Sequence, residues 1–569
     1  MLLSNLNLLA TAPGGVARLR ELILTLAVQG KLVQQDPKDE PASELLKKIW
    51  AEKDRLVAKG KIKRDKPLAE IVEEEKPFEL PRQWEWMRLG SAAKKITDGT
   101  HHSPASSSTG DFKYLSAKNI KTWGIDLSDV TYVPEAVHNE IYARCDPEVG
   151  DILFIKDGAT TGILTINTLP EPFSLLSSVG VIKPSCGLTS EWLARVMRSP
   201  YFYSAMRAEM TGVAITRVTL SKLNVALVPL PPIAEQSRIV TRVEELMRLC
   251  DALEAKGQLE ATQHAQLVST LLGTLTESET PEELADHWQR IATHFDLLLD
   301  RPEAVDALEQ TILQLAVRGL LVPQDPQDEP ASELLKQIRV EKDRLIAVGT
   351  IRHDKALKSI AQDEYPFAVP SRWEWVTIET LAVVGTGTTP SRDNTAFFSG
   401  GSIPWVTSGE TGKSFIAETA QCVTELALSQ TSLTVYPAGT LIIAMYGQGK
   451  TRGQISELQI EATTNQACAA IVLVESSLAH RNFVKLVFEK SYEEIRERSA
   501  GGAQPNLNVG KIKATLIPLP PLAEQSRIVA RVAQLRRMCA ELRQRLTAAS
   551  ERQSQLAQSL VEMQSTTIV

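Results

Sequence analysis

Two stretches of the chain carry the same hydrophobic rhythm. Ile239, Val243, Leu246, Cys250 and Leu253 recur at spacings of 4, 3, 4 and 3. Ile528, Val532, Leu535, Cys539, Leu542 and Leu546 follow the same rhythm for one step more. An apolar residue every 3.5 positions on average is the seam of a coiled-coil helix. Pro-Leu-Pro-Pro precedes each run. Proline ends a strand because it has no N–H to donate, and it suits the first turn of a helix, where that N–H would lack a partner. The pattern predicts helices from Ile233 to about Leu272 and from Leu522 to about Met563, each ~60 Å long at 1.5 Å per residue. One seam cannot bury itself, so the two long helices are expected to pack along each other.

An earlier block, Leu19–Leu89, reads as an apolar helix, a Gln-Asp-Pro turn and a second helix over Ala42–Val57. Pro41 and Ser43 stand where helix-capping chemistry places them. Lys53, Arg55, Lys59, Lys61, Lys63 and Arg64 make the end of that helix basic, as on a solvated surface. Trp84 and Trp86, like Trp373 and Trp375, alternate as on a strand and are expected to anchor the first strand of the segment that follows. On the second long helix, Arg531, Arg536, Arg537, Arg543 and Arg545 read as a solvated face or a docking face.

These blocks occur twice. Leu19–Leu89 and Leu308–Ile378 are offset by 289 residues and agree at 41 of 71 positions. PLPPIAEQSRIV at Pro229–Val240 returns as PLPPLAEQSRIV at Pro518–Val529, at the same offset. Between the matching blocks lie two dissimilar stretches, Gly90–Asn224 and Glu379–Lys513. One echo joins them: GDILFIKDGATTG (Gly150–Gly162) lines up with GTLIIAMYGQGKTRG (Gly439–Gly453), each an apolar run followed by a glycine-rich polar loop. Uniform drift after duplication would blur every segment alike. Constant blocks alternating with divergent ones instead suit one scaffold presenting two different surfaces. The expected segments are 1–89, 90–224, 225–378, 379–513 and 514–569. Thr274–Asp306, which has no obvious counterpart, looks like an added linker or short helix pair.

Composition narrows the class. Hydrophobic residues are 43% of the 569, enough for sizeable cores and against wholesale disorder. The formal charge of −7 gives no global reason to expect nucleic acid. Gly90–Asn224 is itself balanced, with 13 basic and 13 acidic residues, so charge alone would hold DNA weakly. Cys145, Cys186, Cys250, Cys422, Cys468 and Cys539 are scattered with no C-x-x-C pair, which suits a reducing cytoplasm and gives no zinc motif. Neither a signal peptide nor a membrane-spanning run is expected.

Catalytic motifs are missing type by type: no H-E-x-x-H, no G-x-S-x-G, no N-P-P-[FYW] and no PD…ExK constellation. His101 and His102 stand in a polar loop, but neighbours on a strand cannot both readily face one metal. AMYGQGKT (Ala444–Thr451) satisfies a relaxed phosphate-loop pattern. That chemistry needs a helix opening directly after Lys450, and TRGQISELQ follows instead. The same loop suits nucleic acid better, since glutamine can read adenine and lysine or arginine can read guanine or hold phosphate. Candidate DNA-contacting residues are therefore Tyr446, Gln448, Lys450, Thr451 and Arg452 in one variable stretch, and Lys156, Asp157, Thr160 and Thr161 in the other. His101, His102, Lys118 and Asn119 join them, as do residues before each Pro-Leu-Pro-Pro turn: Thr216 and Arg217, and Gln504, Asn506 and Asn508.

The repeated PLPP[IL]AEQSRIV turn and helix, the LAV[QR]G…QDP…DEPASELLK block and the P…WEW motif resemble the specificity subunit of type I restriction–modification systems. The resemblance covers nearly the whole chain. It implies an α+β protein: two mixed α/β target recognition domains separated by two long antiparallel coiled-coil-like helices in a pseudo-twofold repeat. It implies a non-catalytic DNA-recognition subunit, each target recognition domain reading half of a split target in double-stranded DNA, with the helices fixing the gap. Partners would be two methyltransferase subunits and motor–nuclease subunits. S-adenosylmethionine, ATP and magnesium would belong to those partners and no cofactor to this chain. Adenine N6 methylation after base flipping would be the partners' chemistry.

Overall fold

The computed structural model describes residues 6–62, 67–207, 217–351, 365–446, 451–500 and 507–567. Contacts divide the chain into two units, Met1–Ala261 with Ala549–Val569, and Thr262–Ala548. The long helices run Ile233–Glu277 and Leu522–Thr567, a few residues past their expected ends. Each begins in one unit and ends in the other. The fold is α+β with an internal repeat. Among the described residues no helix is long and apolar enough to cross a membrane.

In the first unit, helix Gly15–Val28 and helix Ala42–Ala58 precede a short strand, Glu85–Arg88. This strand does not open the sheet of the variable domain, as the tryptophan alternation suggested. It pairs antiparallel with Leu227–Leu230, the strand just before the first long helix, and the two clasp the domain at its base. The second unit repeats the clasp with Glu374–Thr377 on Leu516–Leu519.

The repeated motif has a physical reason residue by residue. Glu235 is buried and accepts from the Trp84 indole N–H at 3.0 Å and the Gln35 amide at 2.6 Å. Glu524 accepts from Trp373 at 2.9 Å and Gln324 at 2.6 Å. Burial raises the pKa of both carboxyls. Arg238 pairs with Asp39 and Arg527 with Asp328. Replacing a donating tryptophan or glutamine takes a hydrogen bond from a buried carboxyl, which is costly.

The seam is buried, and the first helix of its own repeat takes part in covering it. Ile239, Val243 and Cys250, with Leu246 and Leu253 beside them, share a core with Leu19 and Ile23 of helix Gly15–Val28. Ile528, Val532 and Cys539, flanked by Leu535, Leu542 and Leu546, share a core with Leu308 and Ile312 of helix Pro302–Arg318. Each core therefore joins a seam to the first helix of its own repeat and to residues of the other long helix, Ala557 in the first and Val268, Leu272 and Leu275 in the second. The arginine face is not simply solvated: Arg536 pairs with Glu309 and Glu489, and Arg543 with Asp306 and Glu309. Ser43 does not cap its helix. The Ala42 N–H donates instead to the Gln83 carbonyl at 2.9 Å, as Ala331 does to Arg372 at 3.0 Å.

The far ends of the long helices are buried too. Val268, Leu272 and Leu275 enter the second unit's core beside Ile291 and Leu298 of the added segment, which forms helices Pro281–Thr293 and Phe295–Leu298. Ala557 enters the first unit's core, and Ser554 accepts from Arg18.

Each variable domain has a main sheet, antiparallel apart from a parallel edge strand in the second, with a smaller sheet beside it. In the first, the strand order is Ala93–Asp98, Val179–Pro184, Ile152–Ile155, Leu164–Ile166. In the second it is Ala382–Thr386, Cys468–Leu473, Leu441–Ala444, Ile455–Leu458, then Phe415–Ile416. The smaller sheets are centred on Phe112–Leu115 and Ile403–Val406. One backbone crossing recurs in both. A Cβ on Gly99 would stand 1.9 Å from the Leu175 carbonyl oxygen, and one on Gly387 would stand 1.6 Å from that of Thr464. Glycine is required at both positions.

Candidate nucleic-acid interface

In the first variable domain the loops at one end of the main sheet converge on Asp98, the last residue of its strand. Lys156 follows Ile152–Ile155 and turns inward. Its Nζ lies 3.4 Å from Asp98 Oδ2 and 2.9 Å from Asp157 Oδ2. Asp157 in turn faces Arg217 Nε at 3.1 Å, and their backbones form an antiparallel bridge. On the other side, Arg144 Nη2 meets Asp98 Oδ1 at 2.5 Å and donates to His101 Nε2 at 2.9 Å. His101 Nε2 lies 3.3 Å from the same carboxylate oxygen.

Burial sorts these groups. The side chains of Lys156 and Asp98 are each 2% exposed, whereas those of Arg144 and Arg217 are 50% and 55% exposed. Asp98 and Asp157, bridged by the buried Lys156, therefore hold two half-exposed arginines at the loop end of the sheet. Such cations can donate to phosphate oxygens or to guanine, and their anchors lower the entropy cost of presenting them.

The candidates of the first variable domain are not equally placed to meet DNA. Arg217, His101, His102 and Thr160 are exposed in this loop cluster. Lys156 is buried and cannot itself reach DNA; it positions its neighbours. Asn119 is buried too, its side-chain N–H groups donating to the Asp126 and Asp129 carbonyls, and it shapes a turn. Lys118 pairs with Asp129 at 2.8 Å. Thr161 is buried and its hydroxyl donates to the Gly158 carbonyl at 2.6 Å. Thr216 lies outside the described residues. Arg144 escaped the sequence reading because it ends a helix, Glu135–Arg144, distant in sequence from the loops it joins.

In the second variable domain Tyr446 is exposed, and Thr451 and Arg452 are half-buried at the foot of the same loop. Gln448, Lys450, Gln504 and Asn506 lie outside the described residues. Past the loop comes strand Ile455–Leu458, not the helix that a phosphate loop requires. Asn508 caps helix Val509–Lys513, accepting from the Lys511 N–H at 2.9 Å, as Thr219 caps Leu220–Val225. Thr389, near the position of His101, donates to Gln466. The two loop clusters are thus alike in place and unlike in chemistry.

A duplicated frame carrying two unlike polar loop clusters defines a recognition protein with two reading heads. The comparisons agree. Residues 81–263 and 370–552 each match the type I restriction modification DNA specificity domain. The chain is 35% identical over 572 residues to the type I restriction enzyme EcoEI specificity subunit of Escherichia coli, covering 96% of this chain and 93% of that protein. It is 35% identical over 575 residues to the EcoAI specificity subunit of the same species, with the same coverage. An HsdS subunit from Thermoanaerobacter tengcongensis aligns with 86% of this chain and 98% of its own, at 16% identity and a TM-score of 0.35. The sequence matches carry the assignment: the chain belongs to the specificity subunits of type I restriction–modification systems.

Proposed function

We propose that this chain reads a split sequence in double-stranded DNA, one half with each variable domain. The observation that carries the reading is the contrast between frame and heads. The clasp and its Glu–Trp–Gln centre are reproduced at matching distances, while the loop ends of the two sheets carry unlike side chains. A frame built twice to hold two different surfaces has its use when the two surfaces read different things. Around Asp98 the exposed cations supply phosphate and base donors, and the polar loops supply further base contacts.

The chain directs chemistry that its partners perform. Two methyltransferase subunits dock on the two equivalent faces of the repeated frame and methylate adenine N6, with S-adenosylmethionine bound to them. Motor–nuclease subunits using ATP and magnesium add cleavage. The assembly works in the cytoplasm. The long helices, each of which begins in one unit and ends in the other, set the distance between the half-sites. Seven residues inserted at Ala255–Gln263 would add ~10 Å of helix, and the recognised gap should change.

The direct test is an exchange of domains. Replacing 90–224 with the corresponding segment of another specificity subunit should alter one half of the methylated target and leave the other half as it was. Change in both halves, or in neither, would overturn the reading.

A further inference from the structure

The two variable domains share little sequence, yet one small device is built in both. In the first, strands Ile120–Lys121 and Gly124–Ile125 form a hairpin whose two loop residues are Thr122 and Trp123. Trp123 is 73% exposed, the most exposed tryptophan among the described residues. In the second, Lys413 and Ser414 lead into Phe415, which is 52% exposed. The local sequences are Lys121-Thr122-Trp123 and Lys413-Ser414-Phe415: a lysine, a small hydroxyl residue, then an aromatic ring.

Both tips are fixed the same way. Arg198, at the end of helix Ser190–Arg198, donates from Nη2 to the Thr122 carbonyl at 3.0 Å and to the Leu164 carbonyl at 3.0 Å. Lys485, on helix Leu478–Ala500, donates from Nζ to the Ser414 carbonyl at 2.5 Å and stands 4.3 Å from the Phe415 ring centroid. In each domain a cation from the helix after the main sheet thus grips the carbonyl just before the exposed ring. The grips differ in chemistry, arginine in one and lysine in the other, so they are not leftovers of a conserved sequence. Each tip also lies against the strand that follows the glycine-containing loop. Arg198 bridges to Leu164 at the start of that strand, and Phe415 pairs with Glu457 within its counterpart.

We propose that Trp123 and Phe415 are DNA-contacting rings, each pressed on a base step or sugar beside the sequence-reading loops, with Lys121 and Lys413 on the adjoining phosphates. The inference rests on the DNA-reading function proposed above. A large ring held in water costs free energy unless something covers it, and rigid fixation of its backbone lowers the entropy cost of docking. The lysine two residues before each ring argues for a polyanion as the partner. Rings interleaved with cations bind nucleic acid by stacking, which tolerates any base, and by phosphate contact. The tips therefore add affinity and duplex distortion and leave the recognised sequence unchanged.

The test uses the full chain purified with its methyltransferase, on the duplex target that methylome sequencing identifies for the wild type. Trp123→Ala and Phe415→Ala should each weaken binding about tenfold, with the methylated sequence, partner co-purification and melting temperature unchanged. Trp123→Phe should keep most of the affinity. Lys121→Ala and Lys413→Ala should each lower the slope of log affinity against log salt by about one. Alanine variants that bind the target as the wild type does would overturn the proposal, as would loss of the methyltransferase in place of DNA. A wild-type complex with no split target would overturn the DNA reading itself, and the tips with it.

Discussion

Arg20 meets Glu254 at 2.9 Å, and the equivalent pair in the second repeat, Glu309 and Arg543, meets at the same distance with the charges exchanged. Both pairs join the first helix of a repeat to the long helix of the same repeat. Exchanging partners between repeats would set Arg20 against Arg543 and Glu309 against Glu254. Two repeats with nearly identical apolar seams need some way to keep each seam with its own short helix, and opposite charges supply it by penalising the mismatch.

This arrangement predicts a charge-reversal cycle. Arg20→Glu should destabilise the protein by up to about 1 kcal/mol, the range for partly exposed pairs. Adding Glu254→Arg should restore part of it, since the reversed pair copies the one in the second repeat while Asp251, which also meets Arg20 at 2.7 Å, keeps its charge. Urea denaturation of the two single variants and the double variant checks this. Additive losses would mean that the pair is not coupled.

His480 predicts a pH dependence that the matching position of the first repeat does not share. Its ring Nδ1 lies 3.0 Å from Gln525 Oε1, and the Gln525 amide donates to the Pro520 carbonyl at 2.8 Å, so the imidazole carries its proton on Nδ1. Burial lowers its pKa, against the opposing pull of Gln525 and Glu475. An unfolded histidine protonates near 6.5. As pH falls below that value the unfolded chain takes up a proton that the folded one resists, and stability drops by at most about 1.4 kcal/mol per pH unit. Above that value the effect vanishes. In the first repeat Gln236 accepts from Thr189, which does not titrate in this range. Melting curves from pH 8 to pH 5 should fall less steeply for His480→Leu than for the wild type, although the variant starts lower.

Gly99 and Gly387 predict two severe substitutions at unlike local sequences. The approach of the neighbouring carbonyl leaves no room for a methyl group at either position. Gly99→Ala and Gly387→Ala should each cost about 3 kcal/mol or more, measured as a loss of soluble, cooperatively melting protein. Gly60, whose added Cβ would meet nothing within 4 Å, is the contrasting position. Its positive φ of 67° makes any loss there one of backbone strain alone, about 1 kcal/mol.

The frame was far more legible than the heads. Repetition marked the Glu–Trp–Gln centre of the clasp, and each of Glu235, Gln236 and Arg238 turned out to have a buried or partly buried partner. The seam's burial was legible as well. The part played by the first helix of each repeat was not, because it is marked by single charged residues such as Arg20 and Glu254, which read in sequence as ordinary solvated positions. The heads failed differently. Lys156 and Asn119 looked like loop donors, but both point inward, and nothing local reports the direction of a polar side chain. Asp98 and Arg144 lie 46 residues apart and only the folded sheet end brings them together. The paired Lys-hydroxyl-aromatic tips were visible in the sequence. They became informative only once the Arg198 and Lys485 contacts showed the same construction twice.

The buried Lys156 separates positioning from contact. Arg144→Ala removes an exposed donor and should weaken binding to the target about tenfold. Lys156→Met leaves Asp98 and Asp157 without their shared cation and should relax discrimination within one half-site only. Asp98→Asn should act in the same half-site by loosening Arg144. Methylome sequencing of cells carrying each variant checks all three, and altered discrimination in the other half-site would remove Asp98 from the reading surface.

The central claim is that one chain reads two half-sites. Methylome sequencing of cells that express this chain with its methyltransferase tests it most directly. The account predicts a target in two parts separated by a fixed gap, with modified adenines on opposite strands. A single uninterrupted motif, or stable partner binding with no modified bases, would contradict it.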